Sequence, residues 1–124
     1  MRLPILLFSL LFVGCKSQTS NYDSQYAYVR KIDSTVNNYI LHLEKNEEKI
    51  IVPIFKDCDN KSNYPNKLRV GKKYKFILVN EVSYTRSQVG FLRQIVDDVE
   101  IWNSNMKRTK YYPDCQNVCG LFIK

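Results

Sequence analysis

The 124-residue sequence predicts an all-β domain, either a small barrel or a two-sheet sandwich. Apolar and polar residues alternate with a period of two in several segments, which is the pattern of strands that bury one face. Short polar turns separate these segments, so that about five or six strands fit into about 100 residues. This density of short strands is typical of barrels and sandwiches.

The first predicted element is a meander of two or three strands. The alternating or apolar segments lie at residues 26–33, 39–44 and 49–55. The segments between them are rich in Asn, Ser and Glu, which is typical of short reversals between consecutive strands. Pro53 has no backbone N–H to donate to a ladder, so it predicts a sheet edge or a bulge at that position.

The longest polar segment, residues 56–67, is predicted to be a loop because Asn, Asp and Pro favour turns. Its Asp57 and Asp59 are not followed by the ligands and glycine of a calcium-binding loop, so no metal site is predicted there. The clearest strand region is residues 67–82, and Gly71 predicts a bulge or sharp bend at its beginning.

The C-terminal third contains two periodicities. Helical spacing occurs at Phe91, Leu92, Ile95, Val96 and Val99, which predicts a short irregular or helical piece. Residues 99–102 are predicted to form a strand, and the apolar segment 117–123 is predicted to return to the sheet.

Three cysteines, Cys58, Cys115 and Cys119, lie in the body of the chain. Disulfides persist outside the cytosol, and a bridge from Cys58 to either of the other two would close a loop of about 57 to 61 residues and stabilise the domain by about 4 kcal/mol. The odd number leaves one thiol unpaired or bridged between chains. A zinc site with His42 is disfavoured, because the Cys-x₃-Cys spacing departs from the common motif.

The N-terminus has the composition of an export signal. Arg2 precedes an apolar run of eleven residues, 3–13, and the sequence becomes polar directly after Cys15. A helix that spans a bilayer needs roughly 20 apolar residues, so this run is typical of a cleaved leader.

Within this leader, Phe12-Val13-Gly14-Cys15 resembles the lipobox of bacterial lipoproteins, in which the cysteine is lipidated and becomes the new N-terminus. The resemblance implies a signal peptide at residues 1–14, a lipidated tether at 15–25 and a domain at 26–124 that is anchored to a membrane of the cell envelope. The alternatives are an ordinary secretory signal and a cytosolic chain with an unusual N-terminus.

The mature part resembles a small OB-like barrel. The resemblance depends on the predicted meander and on the Leu-x-Val-Gly-Lys-x-Tyr-x-Phe step into the long strand at residues 68–76. It implies a curved face that binds oligonucleotides, oligosaccharides or proteins, but such a fold does not specify which. A two-sheet β-sandwich is the alternative.

The formal charge of +7, or +6 without Arg2, favours acidic partners. Export argues against nucleic acid, so an anionic glycan, a lipid headgroup or an envelope protein is expected. Two basic and aromatic segments are the candidate ligand-binding residues: Lys72, Lys73 and Tyr74, and then Lys107, Arg108, Lys110 and Tyr111. If they converge, they form a cationic surface with stacking faces. A charged solvent face with tyrosines in the core is the alternative.

No catalytic constellation is predicted, and no cofactor. His42 is the only histidine, and Asp97, Asp98 and Glu100 are interpreted as solvated turn residues. We therefore expect a non-enzymatic, lipid-anchored binding module of the cell envelope. The alternative is an inhibitor or assembly factor that acts through protein contacts, for which the 56–67 loop is the candidate surface.

Overall fold

The computed structural model describes residues 21–80, 85–86 and 90–124, with the backbone alone at 85–86, and it confirms the all-β prediction. Eleven strands and one 3-10 helix, but no α-helix, occur in these ranges. The predicted signal peptide, Cys15 and the first part of the tether lie outside the described residues.

The strands are β1 (Tyr22–Ser34), β2 (Asn38–Lys45), β3 (Glu48–Phe55), β4 (Asn66–Lys67), β5 (Lys73–Val79), β6 (Thr85–Arg86), β7 (Leu92–Val96), β8 (Val99–Asn103), β9 (Thr109–Tyr111), β10 (Val118–Cys119) and β11 (Phe122–Ile123). The 3-10 helix, Lys61–Asn63, lies in the predicted loop between β3 and β4.

A five-stranded sheet in the order β5-β1-β2-β3-β9 is the centre of the fold. Its first three chain segments form the predicted antiparallel meander, and only the short β9 runs parallel to its neighbour β3. β9 pairs only with residues 49–51 of β3. At Pro53, β3 is therefore paired with β2 on one side and with no described strand on the other. The predicted sheet edge at Pro53 is therefore confirmed.

One face of this sheet, the inner face, carries the main core. Its buried side chains include Ala27, Leu41, Val52 and Phe76, one from each long strand. The small sheet β10-β11-β4 covers them together with Tyr112 and Cys115.

The opposite face, the outer face, is covered over only part of its width. The third sheet, β6-β7-β8, packs Ile101 and Trp102 against Ile40 and Ile51 of β2 and β3. The outer surface of β1 and β5 has no such cover among the described residues, and it carries exposed tyrosines.

The expectation of a short irregular or helical piece before the strand at residues 99–102 is wrong. Residues 92–96 form β7, which pairs with β8 as an antiparallel hairpin. Asp97 and Asp98 both have positive φ, 51° and 66°, as a two-residue hairpin turn of the favoured hand requires. The burial of these side chains fits a strand rather than a helix, because Leu92 and Val96 pack against the core while Ile95 is exposed.

The first strand begins four residues earlier than predicted. Tyr22 pairs with Val79, and the backbone N–H of Asn80 donates to the carbonyl oxygen of Asn21 at 2.8 Å. The predicted tether, residues 15–25, therefore overlaps β1. Residues 22–25 lack apolar periodicity, but their pairing with β5 makes them part of the strand.

The predicted disulfide joins Cys58 to Cys119, with a Cα–Cα distance of 5.6 Å. It ties the loop after β3 to β10. Cys115 is the remaining thiol and is buried, and it donates a hydrogen bond to Oδ1 of Asn117 at 3.1 Å. Burial raises the pKa of the Cys115 thiol to about 12, so the thiol stays protonated at neutral pH.

Candidate ligand-binding groove

A groove crosses the outer face where β8 and the β8–β9 loop lie beside β1, β2 and β3. It consists of two cavities of about 690 and 330 Å³ that share His42 and Ile101 as lining residues. Ile51 and Ile101 are buried beneath the larger cavity and give it an apolar floor, and Met106 borders it from the β8–β9 loop. A ligand in this groove would therefore meet both apolar and polar groups.

Four cations line the larger cavity: Arg30, Lys31, Lys49 and Lys107. Arg30 pairs with Glu44 at 3.2 Å, and Lys31 lies 3.4 Å from the carboxylate of Asp33. Among the described residues, neither Lys49 nor Lys107 has a carboxylate within ion-pair distance. These two lysines hence supply the uncompensated positive charge of the groove.

His42 lies where the two cavities meet. Its Nε2 is 2.9 Å from the Asp33 carboxylate, and because an ionised carboxylate only accepts hydrogen bonds, Nε2 is the nitrogen that carries the hydrogen. Burial lowers the pKa of His42 below its usual 6.5, although Asp33 acts in the opposite direction. The imidazole is thus neutral at pH 7, and it gains a charge when the solution becomes acidic.

The smaller cavity is lined by hydroxyl and carboxylate groups. Asp33, Ser34, Thr35 and Glu100 surround it, with Val99 as an apolar neighbour. The groove therefore has a basic end and an acidic end with the histidine between them. Such a polarity favours a ligand with an anionic group at one end and hydrogen-bond donors at the other.

Asp97 holds the third sheet in the position that forms one wall of the groove. Its carboxylate accepts hydrogen bonds from the Thr35 hydroxyl at 2.6 Å and from the Asn37 backbone N–H at 2.8 Å. The side-chain amides of Asn37 and Asn38 add two longer bonds, at 3.2 and 3.3 Å. These donors, the Thr35 hydroxyl first, lower the pKa of Asp97 to about 2. Asp97 lies in a turn, as predicted, but its carboxylate also clamps this turn to residues 35–38.

The β8–β9 loop is held beside β3 by backbone and side-chain bonds. The N–H of Lys49 donates to the carbonyl oxygen of Arg108 at 2.7 Å, and the Arg108 guanidinium donates to Glu47 at 2.8 Å. The indole N–H of Trp102 donates to the carbonyl oxygen of Thr109 at 2.9 Å. These bonds fix the chain on both sides of Lys107 and place it at the cavity.

The two predicted binding segments lie on opposite edges of the five-stranded sheet, with three strands between them. Lys72 lies in the turn before β5, and Lys73 lies on β5. The Tyr74 hydroxyl accepts a hydrogen bond from the Arg69 N–H at 2.9 Å, and the ring packs against the inner core. The structure does not bring this segment into the groove.

Of the second predicted segment, only Lys107 lines the main cavity. The Arg108 charge is paired with Glu47, the Lys110 side chain is exposed on β9, and Tyr111 packs beside Trp102 with ring centroids 6.0 Å apart. The sequence reasoning missed Arg30, Lys31 and Lys49. The sequence signal for these three cations is their position in segments where apolar and polar residues alternate. Alternation alone does not show which strands become neighbours.

No family model matches this chain, and no curated protein or solved structure is significantly similar to it. Within the described ranges, no helix has both the length and the apolar character needed to cross a bilayer. The same ranges contain no group of His, Cys, Asp and Glu side chains that could hold a metal ion.

Proposed function

We propose that this protein is a lipid-anchored component of the cell envelope that binds an anionic ligand in the groove. The observation that carries the proposal is the set of four cations above an apolar floor, two of which have no carboxylate partner in the described part of the chain. The lipobox-like sequence that ends at Cys15 supports the anchor.

The ligand class follows from the walls of the groove. Lys49 and Lys107 attract a phosphate or carboxylate group, while Ile51, Ile101 and Met106 offer contact to an acyl chain or to the apolar face of a sugar. A cavity of about 690 Å³ is within the range of small-molecule sites. An anionic glycan or an anionic lipid headgroup satisfies both requirements.

Binding without catalysis is the activity that we propose. The Ser34 hydroxyl donates to the carbonyl oxygen of Thr35, the Thr35 hydroxyl bonds to Asp97, and the Thr109 hydroxyl donates to the carbonyl oxygen of Lys107. The three hydroxyls that line the two cavities with His42 are therefore already engaged. Cys115 is buried in the core on the other side of the main sheet. These positions supply no nucleophile that His42 could activate.

We further propose that the architecture is the two-sheet β-sandwich, the alternative given above, rather than the predicted OB-like barrel. The support is the packing of the inner face of the main sheet on a separate small sheet. No sheet in the described part of the chain closes on itself.

The test is a binding titration of the lipidated protein in nanodiscs of zwitterionic lipid. A galacturonate oligosaccharide is added in one arm, and phosphatidylglycerol is included in the nanodisc lipid in the other. The readout is the fluorescence of Trp102, the only tryptophan, whose neighbour Ile101 lines the groove. We expect a saturable change with at least one of the two anions.

The variant Lys49→Ser/Lys107→Ser should weaken this binding by about 30-fold, because each exposed charge near an anion contributes about 1 kcal/mol and every 1.4 kcal/mol is a factor of ten. The matched control is Lys45→Ser/Lys110→Ser, which removes the same charge at exposed positions outside the main cavity. Equal losses in both variants, or no saturable binding of either anion, would contradict the proposal.

A second candidate function, contact with a protein partner, is favoured by an apolar patch at the end of the main sheet. Val36 is 78 % exposed and Phe55 is 69 % exposed, and together they border a cavity beside Lys56 and Asp57, where the 56–67 loop begins. If this patch is the active surface, Val36→Ser/Phe55→Ser should abolish a stoichiometric crosslink to an envelope protein. The Lys49→Ser/Lys107→Ser variant should leave that crosslink unchanged.

A further inference from the structure

The outer surface of β1 and β5 carries a stripe of tyrosines and lysines next to the N-terminal end of the domain. The Tyr–Lys stripe consists of Tyr22, Tyr26 and Tyr28 on β1 and Lys73 and Lys75 on β5. Tyr26 lies opposite Lys75 and Tyr28 lies opposite Lys73 in the antiparallel ladder, so their side chains share one face. The three tyrosines are 46 %, 57 % and 50 % exposed.

The stripe has the composition of a surface that contacts a bilayer. Tyrosine is enriched at membrane–water interfaces because its ring is apolar and its hydroxyl is polar. Lysines next to a membrane are attracted to anionic headgroups. Lys73 Nζ lies 6.0 and 5.6 Å from the ring centroids of Tyr26 and Tyr28, so the charge and the rings form one surface.

The chain length between the proposed anchor and the stripe restricts where the stripe can lie. Six residues, 16–21, separate Cys15 from Tyr22, the first residue of β1. From Cys15 to Tyr22 the chain makes seven Cα–Cα steps, which span at most about 25 Å when fully extended. A lipid on Cys15 would therefore hold the beginning of the stripe within about this distance of the bilayer surface.

We propose that the Tyr–Lys stripe docks on the bilayer surface and contacts anionic lipid headgroups. This inference rests on the proposed lipidation of Cys15. Arg30 lies on the same face as Tyr28. Glu44 is the cross-strand partner of Tyr28, and Arg30 forms an ion pair with Glu44. Arg30 also lines the groove, so docking brings the basic end of the groove towards the membrane and makes a lipid headgroup its ligand.

The experiment uses the lipidated mature chain, which begins at Cys15, in vesicles and a nitroxide label at one of two introduced cysteines. Ser24→Cys places the label in the stripe, between Tyr22 and Tyr26, and Ser62→Cys places it on the exposed 3-10 helix. Collision with a water-soluble nickel chelate is measured by EPR. The buried, protonated Cys115 thiol is not labelled under these conditions.

On vesicles that contain phosphatidylglycerol, we expect the collision rate at position 24 to fall several-fold relative to the same protein in detergent. At position 62 we expect no change. Vesicles of phosphatidylcholine alone should give weaker protection, and added salt should reduce the protection on anionic vesicles, because exposed charges are screened. Lys73→Glu/Lys75→Glu should remove the protection at position 24, whereas Lys45→Glu/Lys110→Glu should retain it.

Mass analysis of the same preparation separates the two possible failures. An unmodified Cys15 would overturn the proposed anchoring and the docking together. A lipidated chain in which position 24 remains as accessible as position 62 on anionic vesicles would overturn the docking alone. Equal protection on both kinds of vesicle would overturn the assignment to anionic headgroups.

Discussion

Removal of the Cys58–Cys119 disulfide should be the most destabilising single change at a partly exposed position. The two cysteines are 61 residues apart, so the bridge restricts more than half of the described chain in the unfolded state. The chain-entropy relation gives a stabilisation of about 4 kcal/mol for a loop of this length. This is a large part of the total stability of a small domain, which is about 5–15 kcal/mol.

Cys58→Ser is the appropriate variant, because Cys58 is partly exposed and Cys119 is 1 % exposed. Serine at position 58 can remain hydrated, so the measured loss reports the lost bridge rather than a buried hydroxyl. For a domain of this size, about 4 kcal/mol corresponds to a decrease in Tm of about 15–30 °C.

The assay is thermal unfolding followed by far-UV circular dichroism and by the fluorescence of Trp102. Reduced wild-type protein should unfold at the same temperature as reduced Cys58→Ser, because neither has the bridge. Cys115→Ala serves as the control that removes a thiol without removing the bridge or burying a hydroxyl. An unchanged Tm for Cys58→Ser would refute the reasoning, since it would mean that the bridge does not restrict the unfolded chain as the entropy model requires.

Three further predictions follow from the described contacts. The folded-state pKa of Asp97 is lowered to about 2, so the contribution of its ionised carboxylate to stability is present above pH 4 and is lost as the pH falls towards 2. Asp97→Asn should flatten this pH dependence of the free energy of unfolding and increase amide exchange in β7 and β8. Because burial lowers the pKa of His42 below 6.5, the anion affinity measured as the pH is lowered from 7 should rise by about fivefold once His42 is protonated, and His42→Gln should abolish that gain. Burial raises the pKa of Cys115 to about 12, so iodoacetamide should leave this thiol unmodified in folded protein at pH 8 and alkylate it in guanidinium, as mass analysis would show; labelling of the folded protein would contradict the buried position.

Much of the local structure could be predicted from the sequence, because local patterns determine it. Alternation between residues 26 and 55 predicts the meander, and Pro53 predicts the sheet edge. The misjudged segment, 91–96, shows the limit of this reasoning. Its apolar residues fit two periods, and only pairing with β8 selects the strand.

The candidate site could not be predicted in the same way, because its residues come from distant parts of the chain. Arg30 and Lys107 are neighbours across one cavity only because of the strand order and the packing of the third sheet on the outer face. The basic segments that were conspicuous in the sequence are separated by three strands, and most of their aromatic residues serve in packing.

The sequence by itself determined the strand class, the cationic character and the cysteine partners that remained possible, since each depends on composition or short-range pattern. Only the tertiary structure decided that Cys119, rather than Cys115, meets Cys58 and that four cations surround one apolar floor. Both outcomes depend on which strands lie side by side, and strand order is set by burial of whole faces rather than by any single segment.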